Sequence, residues 1–281
     1  MKNKLYFIGY GNMAEAIYQR INKKLFGKIF LIEKNSERRV YINEKNYKKT
    51  QVLKELNGIK FNNSDIVLLA VKPNQIKSVC EEINSLILGK KDIPIIISIA
   101  AGVTTTAIKN FIINNLTNLQ NDIDIFRAMP NLCARDGEAI TGLYGKSKQI
   151  NKSNLTTIIS KIFKSIGEIL WVKKESDLDI VTAISGSGPA YIFYFIDTMI
   201  KSAVELGLDK KNAKKLVIQT VIGSGKAGIS IDNFAEQISK VASKGGTTEA
   251  AINLLNKKNL DVIFTQAIKA AYSKSKEISL P

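Results

Sequence analysis

The chain has 281 residues, 45% of them apolar, which suffices for one large globular domain or two of ordinary size. Lys+Arg 41 against Asp+Glu 25 leaves a net charge of +16, but the lysines are scattered over helix faces, so no nucleic-acid partner is expected and the positive field is read as an attraction for anionic small molecules. The absence of histidine excludes a Ser-His-Asp triad, and two distant cysteines, Cys80 and Cys133, make neither a disulfide framework nor a metal site, which points to a reducing, cytoplasmic setting.

In chain order, Lys2 and Lys4 followed by an apolar run and Ala14-Glu15-Ala16 imitate a secretory leader, but Glu15 and the polar turn inside the run argue against one. That same run, Leu5 to Ile17, is LYFIGYGNMAEAI. It reads as a strand, a tight turn and a helix start, with glycines and alanine spaced G-x-G-x-x-A at Gly9, Gly11 and Ala14. Gly9 permits the turn, Gly11 lets backbone approach a ligand, and Ala14 packs the helix on the strand. Unpaired helix N–H groups and the helix dipole then face the space above the turn, which suits a pyrophosphate.

Lys28 to Ile32 predicts a second strand, with Glu33 at its end. A carboxylate there suits the ribose hydroxyl of NAD, whereas Lys34, Arg38 and Arg39 suit the 2′-phosphate of NADP; the residues alone leave both open. Asp65 to Ala70 is an apolar run without alternation, as in a buried parallel strand, and Val71-Lys72-Pro73 ends it at the edge where open α/β sheets bind ligands. Ile95 to Ile99 predicts another such strand, and the small residues Ala100-Ala101-Gly102 after it leave room for a flat ring. Thr104 or Thr105 is expected to cap the next helix. The uncharged run Ile93 to Ile108 is too short and too interrupted to span a membrane, and no membrane partner is expected. Further strands are read at Ile125 to Ala128, Ala139 to Tyr144 and Glu168 to Val172, with Trp171 as a packing residue.

From about Lys174 helical periodicity takes over, dividing the chain into 1–173 and 174–281. Pro189 suits the first turn of a helix that runs Ala190 to Leu206 and stops at Gly207. Ile192, Phe193, Phe195, Ile196, Met199 and Ile200 make that helix apolar nearly all round, which predicts burial on all sides and a subunit interface. Asp209 and Asp232 are expected to cap the next two helices, and helices near Thr248 to Asn256 and Leu260 to Lys276 complete the chain. The stretch Ser243-Lys244-Gly245-Gly246-Thr247-Thr248-Glu249 is a glycine-hinged helix start, either a plain cap or a second anion site.

Gly9-Tyr10-Gly11-Asn12-Met13, Ala70-Val71-Lys72-Pro73, Ala100-Ala101-Gly102-Val103-Thr104, Arg127-Ala128-Met129-Pro130-Asn131, Ser185 to Tyr191 and Gly245-Gly246-Thr247-Thr248 occur in this order. Together they resemble the pyrroline-5-carboxylate reductase family, from about Leu5 to Glu277. The resemblance implies an α/β fold, an N-terminal Rossmann-type doubly wound sheet followed by an all-α C-terminal dimerisation domain, with dimers often assembling into a ring. It implies hydride transfer from NADPH or NADH to the C=N of a cyclic imine, giving proline. The family's coenzyme contacts fall on Ile8, Gly9, Tyr10, Gly11, Asn12, Met13, Asn57, Ala70, Val71, Lys72, Pro73, Ile99, Ala100 and Ala101, and its basic residue after the second strand falls on Lys34, which favours NADPH. Its substrate loop falls on Ser243, Gly245, Gly246, Thr247 and Thr248, and its threonine that bonds the ring nitrogen matches Thr248. The chain departs from the family pattern at Lys244, where proline is usual, at Leu132-Cys133, where Thr-Pro is usual, and at the acidic Glu33.

Other readings fit the residues less well. A 2-hydroxyacid-type dehydrogenase uses a histidine or lysine as acid or base, and the chain has no histidine and no clear lysine for the task. A nicotinamide-binding protein without catalysis has no use for the Gly245 to Thr248 loop.

Overall fold

The computed structural model describes residues 3–90, 92–113, 123–145 and 152–279. The chain falls into two compact units, one of Met1–Gly186 with Tyr272–Pro281 and one of Ser187–Ala271.

The first unit is built on an eight-stranded sheet. Its strands are β1 (Lys4–Ile8), β2 (Lys28–Ile32), β3 (Thr50–Leu53), β4 (Ile66–Leu69), β5 (Ile95–Ser98), β6 (Ile125–Met129), β7 (Ala139–Gly145) and β8 (Gly167–Trp171). They lie in the order β3-β2-β1-β4-β5-β6-β7-β8. All neighbours are parallel except β6 and β7, so the last two strands run against the first six. The helices α1 (Asn12–Arg20), α2 (Ser36–Glu44), α3 (Ile76–Ile87), α4 (Thr105–Ile113), α5 (Lys152–Lys164) and α6 (Asp177–Val181) are interspersed with these strands.

The strand residues alternate between the two faces of the sheet, and both faces are covered. Phe7, Leu31, Leu68 and Ile97 share one core with Ile17 of α1 and Phe163 of α5. Ile8, Ile32, Leu69 and Ile96 share the other with Ile83 of α3 and Ile108 of α4. This explains why β4 is apolar at every position and β5 at all but Ser98, and why both strands are buried throughout. β3 is the strand that the sequence did not announce: TQVL is short, half-buried and lies at the sheet edge. Thr104, not Thr105, caps α4, its Oγ1 accepting the Ala107 N–H at 3.0 Å. Trp171 packs edge-on against Phe126 at 6.2 Å and donates its indole N–H to Ser160 Oγ at 3.0 Å.

A part-buried ion pair ties β6 to the segment that follows β8. Arg127 of β6 donates to Glu175 Oε1 at 3.0 Å, and Glu175 also accepts the Thr105 N–H and hydroxyl, each at 2.7 Å. The Asn131 side chain donates to the Ser185 carbonyl at 3.2 Å. After α6 the helix widens into a π turn, Thr182–Gly186.

The second unit is helical, holding α7 (Gly188–Glu205), α8 (Lys210–Gly228), α9 (Phe234–Val241), α10 (Thr247–Lys257) and most of α11 (Leu260–Ile278). Pro189 lies in the first turn of α7, and Gly207 follows its end with φ +105°, as expected of a helix-stopping glycine. Asp209 caps α8, accepting the Asn212 N–H at 3.0 Å. α9 is capped by Asn233 rather than Asp232, its side chain accepting the Glu236 N–H at 3.2 Å. Phe264 of α11 meets the rings of Tyr191 and Phe195 at 5.9 and 5.7 Å. Burial of α7 on all sides does not occur within one copy of the chain: Phe193 is 55% and Tyr194 73% exposed.

Candidate functional site

Consecutive strands step outward from β1 to β2 to β3, and the chain then crosses back to place β4 on the other side of β1. Such a reversal opens a crevice at the carboxyl ends of the two central strands. The Gly9 N–H donates to the Ile32 carbonyl and the Ala70 N–H to the Ile8 carbonyl, each at 2.8 Å, so the loops after β1, β2 and β4 leave the sheet together. The cleft between them is lined by Ile8, Gly9, Tyr10, Gly11, Ile32, Glu33, Lys34, Ala70, Val71 and Lys72, and on the α3 side by Gln75, Ser78, Val79 and Glu82.

The two glycines of the turn have different tasks. Gly9 has φ +85°, and a Cβ there would stand 2.9 Å from both the Ala70 carbonyl oxygen and Val71 Cγ1. Gly11 is extended, with nothing within 4 Å of a Cβ, so it faces open space over the start of α1. The first N–H groups of α1, from Asn12 on, have no acceptor within the helix and point to that space. The Tyr10 side chain turns the other way, into the core, where its ring lies 5.7 Å from that of Tyr18. Burial pushes its phenol far above the ordinary range.

The charged side chains after β2 are each engaged, by backbone groups or by a carboxylate from another element. Glu33 accepts the Tyr10 N–H through Oε2 at 2.9 Å and the Asn35 N–H through Oε1 at 2.8 Å. Arg38 donates from Nε to the Tyr10 carbonyl at 2.9 Å and from Nη2 to Glu15 at 2.5 Å. Arg39 donates to the carbonyls of Glu33 and Lys34 at 2.9 and 2.7 Å. Lys34 meets Glu82 of α3 at 2.6 Å.

Of the residues singled out by resemblance, Ile8, Gly9, Tyr10, Gly11, Lys34, Ala70, Val71 and Lys72 come together in this cleft. Asn12 is exposed beside it at the helix start, and Met13 packs on the sheet core. Pro73 opens the 3-10 turn that leads into α3. Asn57 is exposed on the loop after β3, and Ile99, Ala100 and Ala101 follow β5; none of the four lines the cleft. The α3 contribution was missed. Its signal was a polar stripe, Ser78 and Glu82 one turn apart, on a helix whose other face buries Cys80, Ile83 and Ile87.

The second predicted site lies in the helical unit, at the start of α10. Gly245 has φ +75° and makes the turn, and Gly246 is the N-cap residue. Their amides already have acceptors: Gly245 donates to Glu249 Oε2 at 2.7 Å and Gly246 to the Ser243 carbonyl at 2.9 Å. The amides that α10 leaves without helical acceptors are therefore those of Thr247, Thr248 and Glu249. Ser243, Lys244 and Thr247 are exposed and Thr248 is half-buried.

No helix among the described residues is long and apolar enough to cross a membrane, and no His/Cys/Asp/Glu cluster among them would hold a metal ion.

Comparison with known proteins agrees with this plan. The model of pyrroline-5-carboxylate reductase dimerisation matches residues 175–278, and that of NADP oxidoreductase, coenzyme F420-dependent, matches residues 4–102. A pyrroline-5-carboxylate reductase of Pasteurella multocida (strain Pm70) is 32% identical over 97% of this chain and 96% of its own length. That of Synechocystis sp. (strain ATCC 27184 / PCC 6803 / Kazusa) is 35% identical over 99% of each. Among solved structures, a pyrroline-5-carboxylate reductase from Coxiella burnetii superposes with a TM-score of 0.84 at 32% identity, covering 100% of both chains. Plasmodium falciparum pyrroline carboxylate reductase with NADP bound gives 0.80 at 28% identity, again over 100% of both. The strand order, the glycine turn and these full-length relationships agree: the chain belongs to the pyrroline-5-carboxylate reductase family.

Proposed function

We propose that the chain reduces 1-pyrroline-5-carboxylate to L-proline with a reduced nicotinamide dinucleotide. The observation that carries this reading is the Gly9–Gly11 cleft at the reversal of strand order, in a chain of this family. The residues fit such a coenzyme: the open space over Gly11 admits a pyrophosphate close to the backbone, and the α1 amides face it. Residues 1–173 are assigned to the coenzyme and residues 174–281 to the substrate and self-association, a division that the two family models support, whereas the compact units part at Gly186 and Ser187 and take Tyr272–Pro281 into the first.

When bound, the coenzyme supplies the hydride that goes to the imine carbon. Among the chain's own groups, the amides of Asn12 and Met13 at the start of α1 would hold the pyrophosphate, and Lys34 and Lys72 would add positive charge at the rim. Lys34 favours NADPH, as does the NADP in the Plasmodium falciparum relative, while NADH remains a substrate of the same cleft. Thr248 Oγ1 orients the ring nitrogen, and the Thr247 and Thr248 amides receive the substrate carboxylate, with Ser243 and the Gly245-Gly246 turn shaping the loop. The Gly245 amide does not serve the carboxylate while Glu249 holds it. The imine nitrogen collects its proton from solvent, so the reaction does not need the histidine that the chain lacks, and the enzyme acts chiefly by positioning.

The chain works as a homodimer in the cytoplasm, with dimers assembling further into a ring. The exposed apolar residues of α7 support the association. The excess of positive charge draws in the anionic coenzyme and substrate.

Purified protein mixed with 1-pyrroline-5-carboxylate and NADPH or NADH tests the reading. Rapid loss of reduced-nicotinamide absorbance is the expected result. Coenzyme binding without any such loss would overturn the reaction assigned here.

A further inference from the structure

We infer that Glu82 sets how strongly the cleft prefers a 2′-phosphorylated over a 2′-hydroxyl nicotinamide dinucleotide, by acting as a positioning residue on Lys34. The inference rests on the coenzyme reading above. In sheets of this type the choice is made by the residues just after the second strand. Here most of those residues are already engaged. Both carboxylate oxygens of Glu33 hold backbone amides, those of Tyr10 and Asn35, and Arg38 is bound to the Tyr10 carbonyl and to Glu15. Arg39 is held by two carbonyls.

Of the three cations after β2, Lys34 is the one that lines the cleft, and its partner comes from a different element. Its Nζ lies 2.6 Å from Glu82 Oε1, and both residues line the cleft. Glu82 is placed there by helical spacing, one turn after Ser78, while Cys80 and Ile83 of the same helix are buried in the core. A phosphate brought to Lys34 meets the Glu82 carboxylate beside it and must compete for the amine against a like charge. A hydroxyl meets no such repulsion and can donate to that carboxylate. Lys34 therefore raises the preference for the phosphorylated coenzyme and Glu82 lowers it. The side chains are 62% and 36% exposed, so the pair adds little to folding and its substitution moves recognition more than stability.

Equilibrium titration of the whole protein with NADPH and with NADH, without imine, reads this directly. Glu82→Gln is expected to tighten NADPH about fivefold, the scale of one exposed charge interaction, while NADH changes by less than about twofold. The gain should shrink at high salt and fall to a fraction in a Lys34→Met background, where only the direct repulsion between carboxylate and phosphate is left to relieve, a coupling that a merely structural role would not produce. An unchanged NADPH/NADH affinity ratio in Glu82→Gln, with both coenzymes binding, overturns the inference alone. Wild-type protein that binds neither coenzyme overturns it together with the coenzyme reading. Protein that binds both but reduces no imine defeats only the assigned reaction and leaves this comparison decisive.

Discussion

The Glu33 carboxylate accepts the Tyr10 N–H at 2.9 Å across 23 residues of sequence. The end of β2 thus fastens the middle of the glycine turn after β1, and the second Glu33 oxygen fastens Asn35, the N-cap of α2. An acidic residue at this point of a dinucleotide-binding sheet is ordinarily read as a ribose ligand. In this chain it braces the loop that the ribose would lie against.

Glu33→Gln keeps the size and removes the charge that two amides share. A hydrogen bond to a charged group contributes about 1.5–3 kcal/mol, so a loss toward the lower figure is expected, since Gln still offers one acceptor oxygen. Coenzyme binding should weaken for NADPH and NADH alike, because the loop itself loosens. Titration with each coenzyme separates the cases: a selective loss of NADH would mean that Glu33 binds the ribose hydroxyl directly.

Gly9→Ala and Gly11→Ala should part company. At Gly9 the new methyl carries a φ of +85° and meets Ala70 O and Val71 Cγ1 at 2.9 Å. Strain of about 1–3 kcal/mol follows, with a fall in melting temperature of about 2–4 °C for each kcal/mol. Because β1 and β4 are pushed apart at the cleft, coenzyme affinity should fall by roughly tenfold or more, the equivalent of about 1.4 kcal/mol. At Gly11 the methyl meets nothing, so melting should be unchanged while coenzyme affinity still falls. Wild-type affinity in Gly9→Ala would show that the turn is not a coenzyme cradle.

The strands other than β3, the glycine turn and the change to helix near Lys174 were legible because each leaves a local pattern: an unbroken apolar run in β4 and three successive isoleucines in β5, glycine spacing after β1, a 3.6-residue period after β8. What was not legible depends on partners far away in sequence. Glu175 receives Arg127 and Thr105 from 48 and 70 residues away, and nothing near Glu175 announces either. Glu82 reaches Lys34 across 48 residues. β3 lacked a pattern because an edge strand of four half-exposed residues has little apolar surface to bury. At α10 the sequence showed a helix start with two glycines, but not that Glu249 had already claimed the Gly245 amide.

That contact separates the roles of Thr248 and Glu249. Thr248→Ala removes a hydroxyl assigned to the ring nitrogen. Turnover should fall by about a hundredfold or more, as when one positioned donor is lost, with NADPH affinity nearly intact. Glu249→Ala leaves the threonine in place but releases the Gly245 amide and the acidic charge at the helix start. Its effect should appear mainly as a lowered KM for the imine, since an amide is freed for the carboxylate and a like charge is removed. Steady-state kinetics on both variants checks the split, and unchanged turnover in Thr248→Ala would remove that residue from the mechanism.

Self-association should be inseparable from the integrity of α7. Ile192, Phe193, Tyr194 and Met199 are 46%, 55%, 73% and 42% exposed, and Val262 and Ile263 of α11 are 47% and 57% exposed. Ala213 and Val217 are the buried hydrophobics among the described residues of this unit, so the helices keep most of their apolar surface for something outside one copy of the chain. Monomeric proteins rarely leave so many large apolar side chains in water. Sedimentation equilibrium is expected to show a dimer or a larger multiple. Phe193→Asp places a charge where burial is expected and should shift the protein toward monomer and lower its melting temperature at once, because association and stability are linked through concentration. Wild-type protein that sediments as a single monomeric species at working concentration would mean that α7 faces solvent, and that the apolar face serves another purpose.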